Sequence, residues 1–142
     1  MKTSVTIIAC LLLATVVLAQ TPRASVWDGV YTEAQAARGQ KAFSRSCGGC
    51  HRDDASGGDD AEPPLRGPNF AQKWDDAPVA ALYDFIATNM PRNRPGSVSL
   101  ADCADIVAFL LKLNEIPAGT QELPTDIEAL TKIRFLAKRP AQ

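Results

Sequence analysis

Histidine and methionine are nearly missing from this chain: of 142 residues one is histidine, His51, and two are methionine, one of them the initiator. With no second histidine for acid–base work, and no glycine-rich nucleotide-binding motif, catalysis by the chain on its own is not expected. Neither sign of charge dominates, with 15 Lys and Arg against 16 Asp and Glu. The basic surface that nucleic-acid binding demands is therefore lacking. No internal repeats occur. The elements read from the sequence below are helices joined by loops, so the class expected is all-α.

Residues 2 to 20 read as a secretory leader. Lys2 supplies a basic start, Val5 to Leu18 is a nearly unbroken apolar run, and Val17-Leu18-Ala19 offers a small-residue cleavage site. Residues 1–19 are expected to be removed near Ala19, leaving 20–142 as a single domain in the periplasm. The run is shorter than the roughly 20 residues of a membrane-spanning helix, so stable membrane insertion is not expected. Cys10 reads as an ordinary leader residue. Lys2 is the one charge lost with the leader, so the exported part is mildly acidic. Three cysteines remain, an odd number that suits a disulfide framework poorly.

Thr32-Glu33-Ala34-Gln35 has the form of a capping box and opens a helix running to about Ser46. Gly39, Phe43 and Cys47 recur every four residues and share one face. A close helix crossing at Gly39 and a mere weak point in the helix are both open readings. Residues 52–68, rich in Asp, Gly and Pro, read as an irregular loop. A helix is expected from about Pro78 to Thr88, with Pro78 at its first position. A further helix follows the Ser99 cap, with Cys103, Ile106, Val107, Leu110 and Leu113 in its stripe. Thr125-Asp126-Ile127-Glu128 opens a last short helix carrying Leu130, Ile133 and Leu136.

Cys47-Gly48-Gly49-Cys50-His51 carries the chemistry. Two cysteines three apart on a helical turn present both sulfurs to one side, where thioethers to the two vinyl groups of one haem can form, and the next residue projects beneath the ring. His51 then offers an imidazole nitrogen to the iron, while Gly48 and Gly49 add no side chains where backbone must approach the macrocycle. A thioredoxin-like pair would need a preceding strand, and a zinc site would need a second pair of ligands. Both are missing. The cofactor expected is one haem c, covalent through Cys47 and Cys50.

For the sixth iron position the choices are Met90, a lysine, or a vacant site. Met90 lies just past a helix in Asn89-Met90-Pro91 and is the only thioether left after the initiator. It is taken as the ligand, with gap-filling in the core as the alternative.

With these residues in place, the sequence resembles class I cytochromes c, in particular the small periplasmic cytochromes associated with quinoprotein dehydrogenases and oxidase chains. The likeness rests on Gly39-x3-Phe43-x3-Cys47, the haem motif, Pro63-x-Leu65-x-Gly67-Pro68, Met90-Pro91, Pro95-Gly96-Ser97 and the stretch Ala104 to Leu110. Asn114, Pro117-Ala118-Gly119 and Glu122-Leu123-Pro124 extend it into the tail. It implies four to five helices around one haem, a core over about 30–114 and a C-terminal wrap over 115–142. It also implies that Gly39 and Phe43 cross Phe109 or Leu110, that the Pro63 carbonyl holds the other nitrogen of His51, and that Leu65 packs on the haem. Trp74 or Arg66 would bond a propionate. Cys103 departs from the pattern, at a position often aromatic in relatives, and reads as a buried inert thiol.

A haem with both axial positions filled leaves only one-electron transfer, in a pocket closed by Leu65, Phe70, Ile86 and Phe109. The partners expected are redox proteins, a dehydrogenase as donor and an oxidase or another cytochrome as acceptor. Lys41, Arg45, Arg52, Arg92 and Arg94 read either as a basic rim on the cysteine side or as a scattered solvated face. Two rivals stand beside the free carrier: a tightly bound subunit of a dehydrogenase, and a sensor or ligand-binding haem protein with an open sixth site.

Overall fold

The computed structural model describes residues 24–58 and 62–141. The leader expected over residues 1–19 lies outside the described residues. Six α-helices occur among those described: α1 (Glu33–Ser46), α2 (Gly48–His51), α3 (Pro68–Trp74), α4 (Val79–Asn89), α5 (Leu100–Leu113) and α6 (Ile127–Thr131). Two short strands, β1 (Ala24–Ser25) and β2 (Ile133–Arg134), pair in parallel with Ala24 opposite Ile133. No helix among the described residues is long and apolar enough to cross a membrane.

The caps of α1 and α5 follow from their sequences. Thr32 accepts from the Gln35 N–H at 3.1 Å, and Ser99 accepts from the Asp102 N–H at 3.1 Å. The reciprocal half of the expected capping box is not made, because Gln35 turns inward. Its Nε2 donates to the Leu123 carbonyl at 2.9 Å and its Oε1 accepts from the Leu123 N–H at 2.7 Å. A buried backbone donor and acceptor both need partners, and a glutamine supplies both at once.

α1 and α5 form the main crossing. A Cβ on Gly39 would fall inside the Asp105 carbonyl and 2.9 Å from Phe109 Cβ. Only a residue without a side chain fits there, which decides between the two readings of Gly39. One turn on, the Phe43 and Phe109 rings meet with centroids 5.3 Å apart. Phe109 therefore belongs to the helix interface.

Three elements differ from expectation. Pro78 is the N-cap of α4 in extended conformation, one position before the helix, and is paired to Arg134 by an isolated bridge. α3 sits where no helix was expected, started by Pro68 after Gly67 at φ 84. The last helix stops at Thr131, because the backbone beyond it bonds elsewhere: Phe135 donates to the Ala77 carbonyl and accepts from the Asp76 N–H, both at 2.8 Å. Ile133 thus lies in β2, and Leu136 accepts from Trp27 Nε1 at 2.9 Å.

The segment after α5 folds back over the helices. Tyr31 donates to the Ile116 carbonyl at 2.6 Å, Gly119 packs directly on Gly29, and Arg38 on α1 holds both Asp105 of α5 and Glu122 of the tail at 2.9 Å. Phe135 is buried against Phe70, edge to face at 6.1 Å, so this returning segment braces α3 from behind.

Candidate functional site

α1 delivers the chain straight into the cysteine motif. The Cys47 N–H closes on Phe43 O at 2.7 Å, and Cys47 O then accepts from the Cys50 and His51 amides at 3.1 and 2.9 Å. This single turn puts Cys47, Cys50 and His51 on the wall of one cavity of about 700 Å³. Burial pushes the Cys47 thiol up to about 11, and the neighbouring Glu62 carboxylate raises that of Cys50. A disulfide-exchange pair needs a depressed thiol, so both shifts run against that use. Among the described residues there is no group of three or more His, Cys, Asp or Glu that could hold a metal ion.

His51 Nδ1 donates to the Pro63 carbonyl oxygen at 3.1 Å. A carbonyl can only accept, so this contact puts the proton on Nδ1 and leaves Nε2 with a free lone pair. The loop is shaped for it. His51 O accepts from Gly57 N at 3.0 Å, Glu62 O accepts from Gly58 N at 2.9 Å, and Ala55 O accepts from Leu65 N at 2.9 Å. Gly57 stands at φ 77, where a Cβ would lie 2.8 Å from the Pro63 carbonyl carbon. A side chain there would push the acceptor away from His51.

Met90 is the C-cap of α4; its N–H bonds Ile86 O at 3.2 Å and its bond to Pro91 is cis. Met90 is half-buried and lines the same cavity. The six residues singled out from the sequence, Cys47, Cys50, His51, Pro63, Leu65 and Met90, are all brought to this wall. Phe70, Leu82, Ile86, Ile106 and Leu110 are among its apolar lining residues. Phe109, expected among them, packs on Phe43 instead.

The cavity fits a haem on several observations. Its volume lies in the roughly 300–1,000 Å³ range of cofactor sites. Trp74 lines it, and Trp74 Nε1 is the buried side-chain donor left without a partner among the described residues. A buried N–H without an acceptor is costly, and a ligand carrying an anionic oxygen would satisfy it. A Cβ on Gly49 would meet no protein atom within 4 Å, so that glycine faces open space. Gly48 differs, because a Cβ there would strike the Asp53 side chain. Arg66 does not face the cavity: it pairs with Asp54 at 3.1 Å and lines a separate hollow.

Of the cations expected at the rim, Arg45, Arg92 and Arg94 line the mouth, whereas Lys41 and Arg52 do not. The sequence reading missed Lys73. Its ammonium sits over the Trp74 and Phe85 rings, 5.3 and 5.2 Å from their centroids. Among the described residues the cavity lining thus carries four cationic side chains against one carboxylate, Glu62. Cys103 is fully buried on α5, where burial pushes its thiol up to about 11.

Residues 34–110 match the family model described as cytochrome c oxidase, cbb3-type, subunit III. No curated protein matches the chain. Among solved structures, a chain of the sulfane dehydrogenase SoxCD from Paracoccus pantotrophus is similar, with 23% identity and a TM-score of 0.52 over 77% of this chain. The match spans 61% of that chain. At this identity the likeness speaks to the fold alone, and together with the family match over residues 34–110 it gives a cytochrome c-like fold.

Proposed function

We propose, on the premise that this chain belongs to the cytochrome c family of the cbb3-type oxidase subunit III, that it is a periplasmic carrier of single electrons on one haem. The haem would be held covalently by Cys47 and Cys50, with His51 and Met90 as axial ligands. The observation that carries this reading is the convergence of these four side chains on one apolar cavity, with His51 already oriented by Pro63.

The haem supplies a one-electron couple when bound, and the chain's own residues set its terms. The Pro63 carbonyl keeps the proton of His51 on Nδ1, so that Nε2 is available as a ligand. Met90 would offer its thioether sulfur as the second ligand, a donor that favours the reduced state. Phe70, Leu82, Ile86, Ile106 and Leu110 exclude water, which favours the less charged state and limits rearrangement during transfer. Trp74 Nε1, buried without a partner among the described residues, would donate to a propionate oxygen. With His51 and Met90 both engaged, the chain would offer no position for a substrate, and oxidation of an organic donor would fall to a separate polypeptide. A dehydrogenase is the proposed donor and an oxidase or second cytochrome the acceptor.

The test is a visible spectrum of the exported, haem-loaded protein, oxidised and then reduced, followed by carbon monoxide. A weak far-red ferric band from sulfur ligation, and a reduced spectrum that ignores carbon monoxide, are expected. Ready binding of carbon monoxide together with loss of that band would place the chain with sensors or ligand binders.

A further inference from the structure

α5 ends at Leu113, and Asn114 is its C-cap. An asparagine side chain has two donor hydrogens and one acceptor oxygen, and this one uses both kinds on backbone. Asn114 Nδ2 donates to Leu110 O at 2.8 Å in its own helix and to Leu65 O at 3.1 Å in the loop. Its Oδ1 accepts from Gly67 N at 2.9 Å. Leu65 is also bonded through its N–H to Ala55 O, so both of its backbone groups are fixed.

What lies just before Leu65 gives this clamp its reach. Residues 63 and 64 are both proline, with fixed φ and no N–H. The stretch from Pro63 to Leu65 is therefore a stiff arm, and its position at Leu65 fixes the position of the Pro63 carbonyl. That carbonyl is the acceptor for His51 Nδ1.

We infer that Asn114 is a positioning residue for the axial histidine. It acts through Leu65, Gly67 and the rigid proline pair to hold the Pro63 carbonyl against His51, and so sets the basicity of Nε2 and the balance between ferric and ferrous iron. The inference rests on the haem reading above, with His51 as ligand. Its direction follows from the chemistry. A firmer Nδ1–H···O bond pushes electron density onto the ring and favours ferric iron, so loosening the clamp favours ferrous iron.

The experiment compares haem-loaded wild type with Asn114→Ser, Asn114→Ala and Tyr31→Phe. The serine hydroxyl can still serve the end of α5 through Leu110 O but is too short to hold the loop, so it is the milder variant should the alanine form fail to fold. Tyr31→Phe removes a buried bond to Ile116 O elsewhere and controls for general loss of stability. Two quantities are read: the midpoint potential, and the solvent exchange rate of the His51 Nδ1 proton by NMR of the reduced protein. Both Asn114 variants are expected to shift the redox equilibrium toward the ferrous form by about twofold to fivefold. They should also speed the Nδ1 exchange roughly tenfold, since the protecting bond opens more often. Tyr31→Phe should leave both unchanged.

If wild type carries haem bound by His51 and Asn114→Ser matches it in both quantities, the role of Asn114 is overturned while the haem reading stands. Equal shifts in Tyr31→Phe would overturn it too, by showing that lost stability is the cause. A wild-type protein without haem, or with another residue in place of His51, would overturn the underlying reading and this inference with it.

Discussion

Replacing Gly39 with alanine sets two effects of opposite sign against each other. In the middle of a helix the change gains about 1 kcal/mol of propensity. Against this, the new Cβ would overlap the Asp105 carbonyl and lie 2.9 Å from Phe109 Cβ, where unstrained carbon contacts begin near 3.5 Å. The first obstacle is backbone in the middle of α5, so no rotamer change relieves it. α1 and α5 must part by roughly an ångström, and overpacking of this kind costs about 1–3 kcal/mol. Parting also loosens the Phe43–Phe109 pair one turn away, which is worth about 0.5–1.5 kcal/mol. The clash wins, and the net loss is about 2 kcal/mol. For a domain of this size that lowers Tm by roughly 8 °C. Guanidinium unfolding of the haem-loaded protein, followed by far-UV circular dichroism, should show a lower midpoint at unchanged slope. A variant as stable as wild type, or more so, would mean that propensity dominates and that the crossing is not tight.

Gln35→Ala leaves the buried N–H and C=O of Leu123 without partners, at a cost of about 2–4 kcal/mol. Limited proteolysis should then cut first in residues 115–126, and cutting at the wild-type rate would count against the clasp. The Arg38 guanidinium holds the Glu122 carboxyl below its ordinary value of 4.5. A depressed acid stabilises above its unfolded value and loses that contribution as pH falls through the folded one, so wild-type stability should decline as pH drops below about 4.5. Arg38→Met should flatten that decline, measured as unfolding midpoints across pH; an unchanged slope would remove this ion pair as its cause. Trp74→Phe keeps a six-membered aromatic ring between Phe70 and Phe85 while removing the indole N–H together with the five-membered part of the ring, so the haem-loaded protein should lose at least about 1–2 kcal/mol. Loss of nothing would show that Nε1 has no partner even when the cavity is filled.

How much of this architecture the sequence displays depends on how far each residue's partners lie along the chain. The turn carrying Cys47, Cys50 and His51 is closed by bonds to Cys47 O, and its chemistry is tied to a spacing of three, so it reads directly from a string of letters. The caps Thr32 and Ser99 are as local, each accepting from an amide three residues on. Leu130, Ile133 and Leu136 fit a helical period equally well, yet the chain leaves the helix after Thr131. Its alternative partners are Ala24 in β1, Asp76 and Ala77 before α4, and Trp27, which is 109 residues from Leu136. No window of sequence contains them. Gln35 was assigned to its own helix start because the motif there is complete, but its side chain serves Leu123, 88 residues away. A buried backbone pair outbids a solvent-exposed cap, since water can satisfy the cap and nothing else can satisfy the pair. Asn114 follows the same rule, with Gly67 47 residues distant. The polar residues that tie distant segments together are therefore the ones that periodicity and spacing pass over, and one of them, Asn114, bonds Leu65 in the loop whose Pro63 carbonyl accepts from His51.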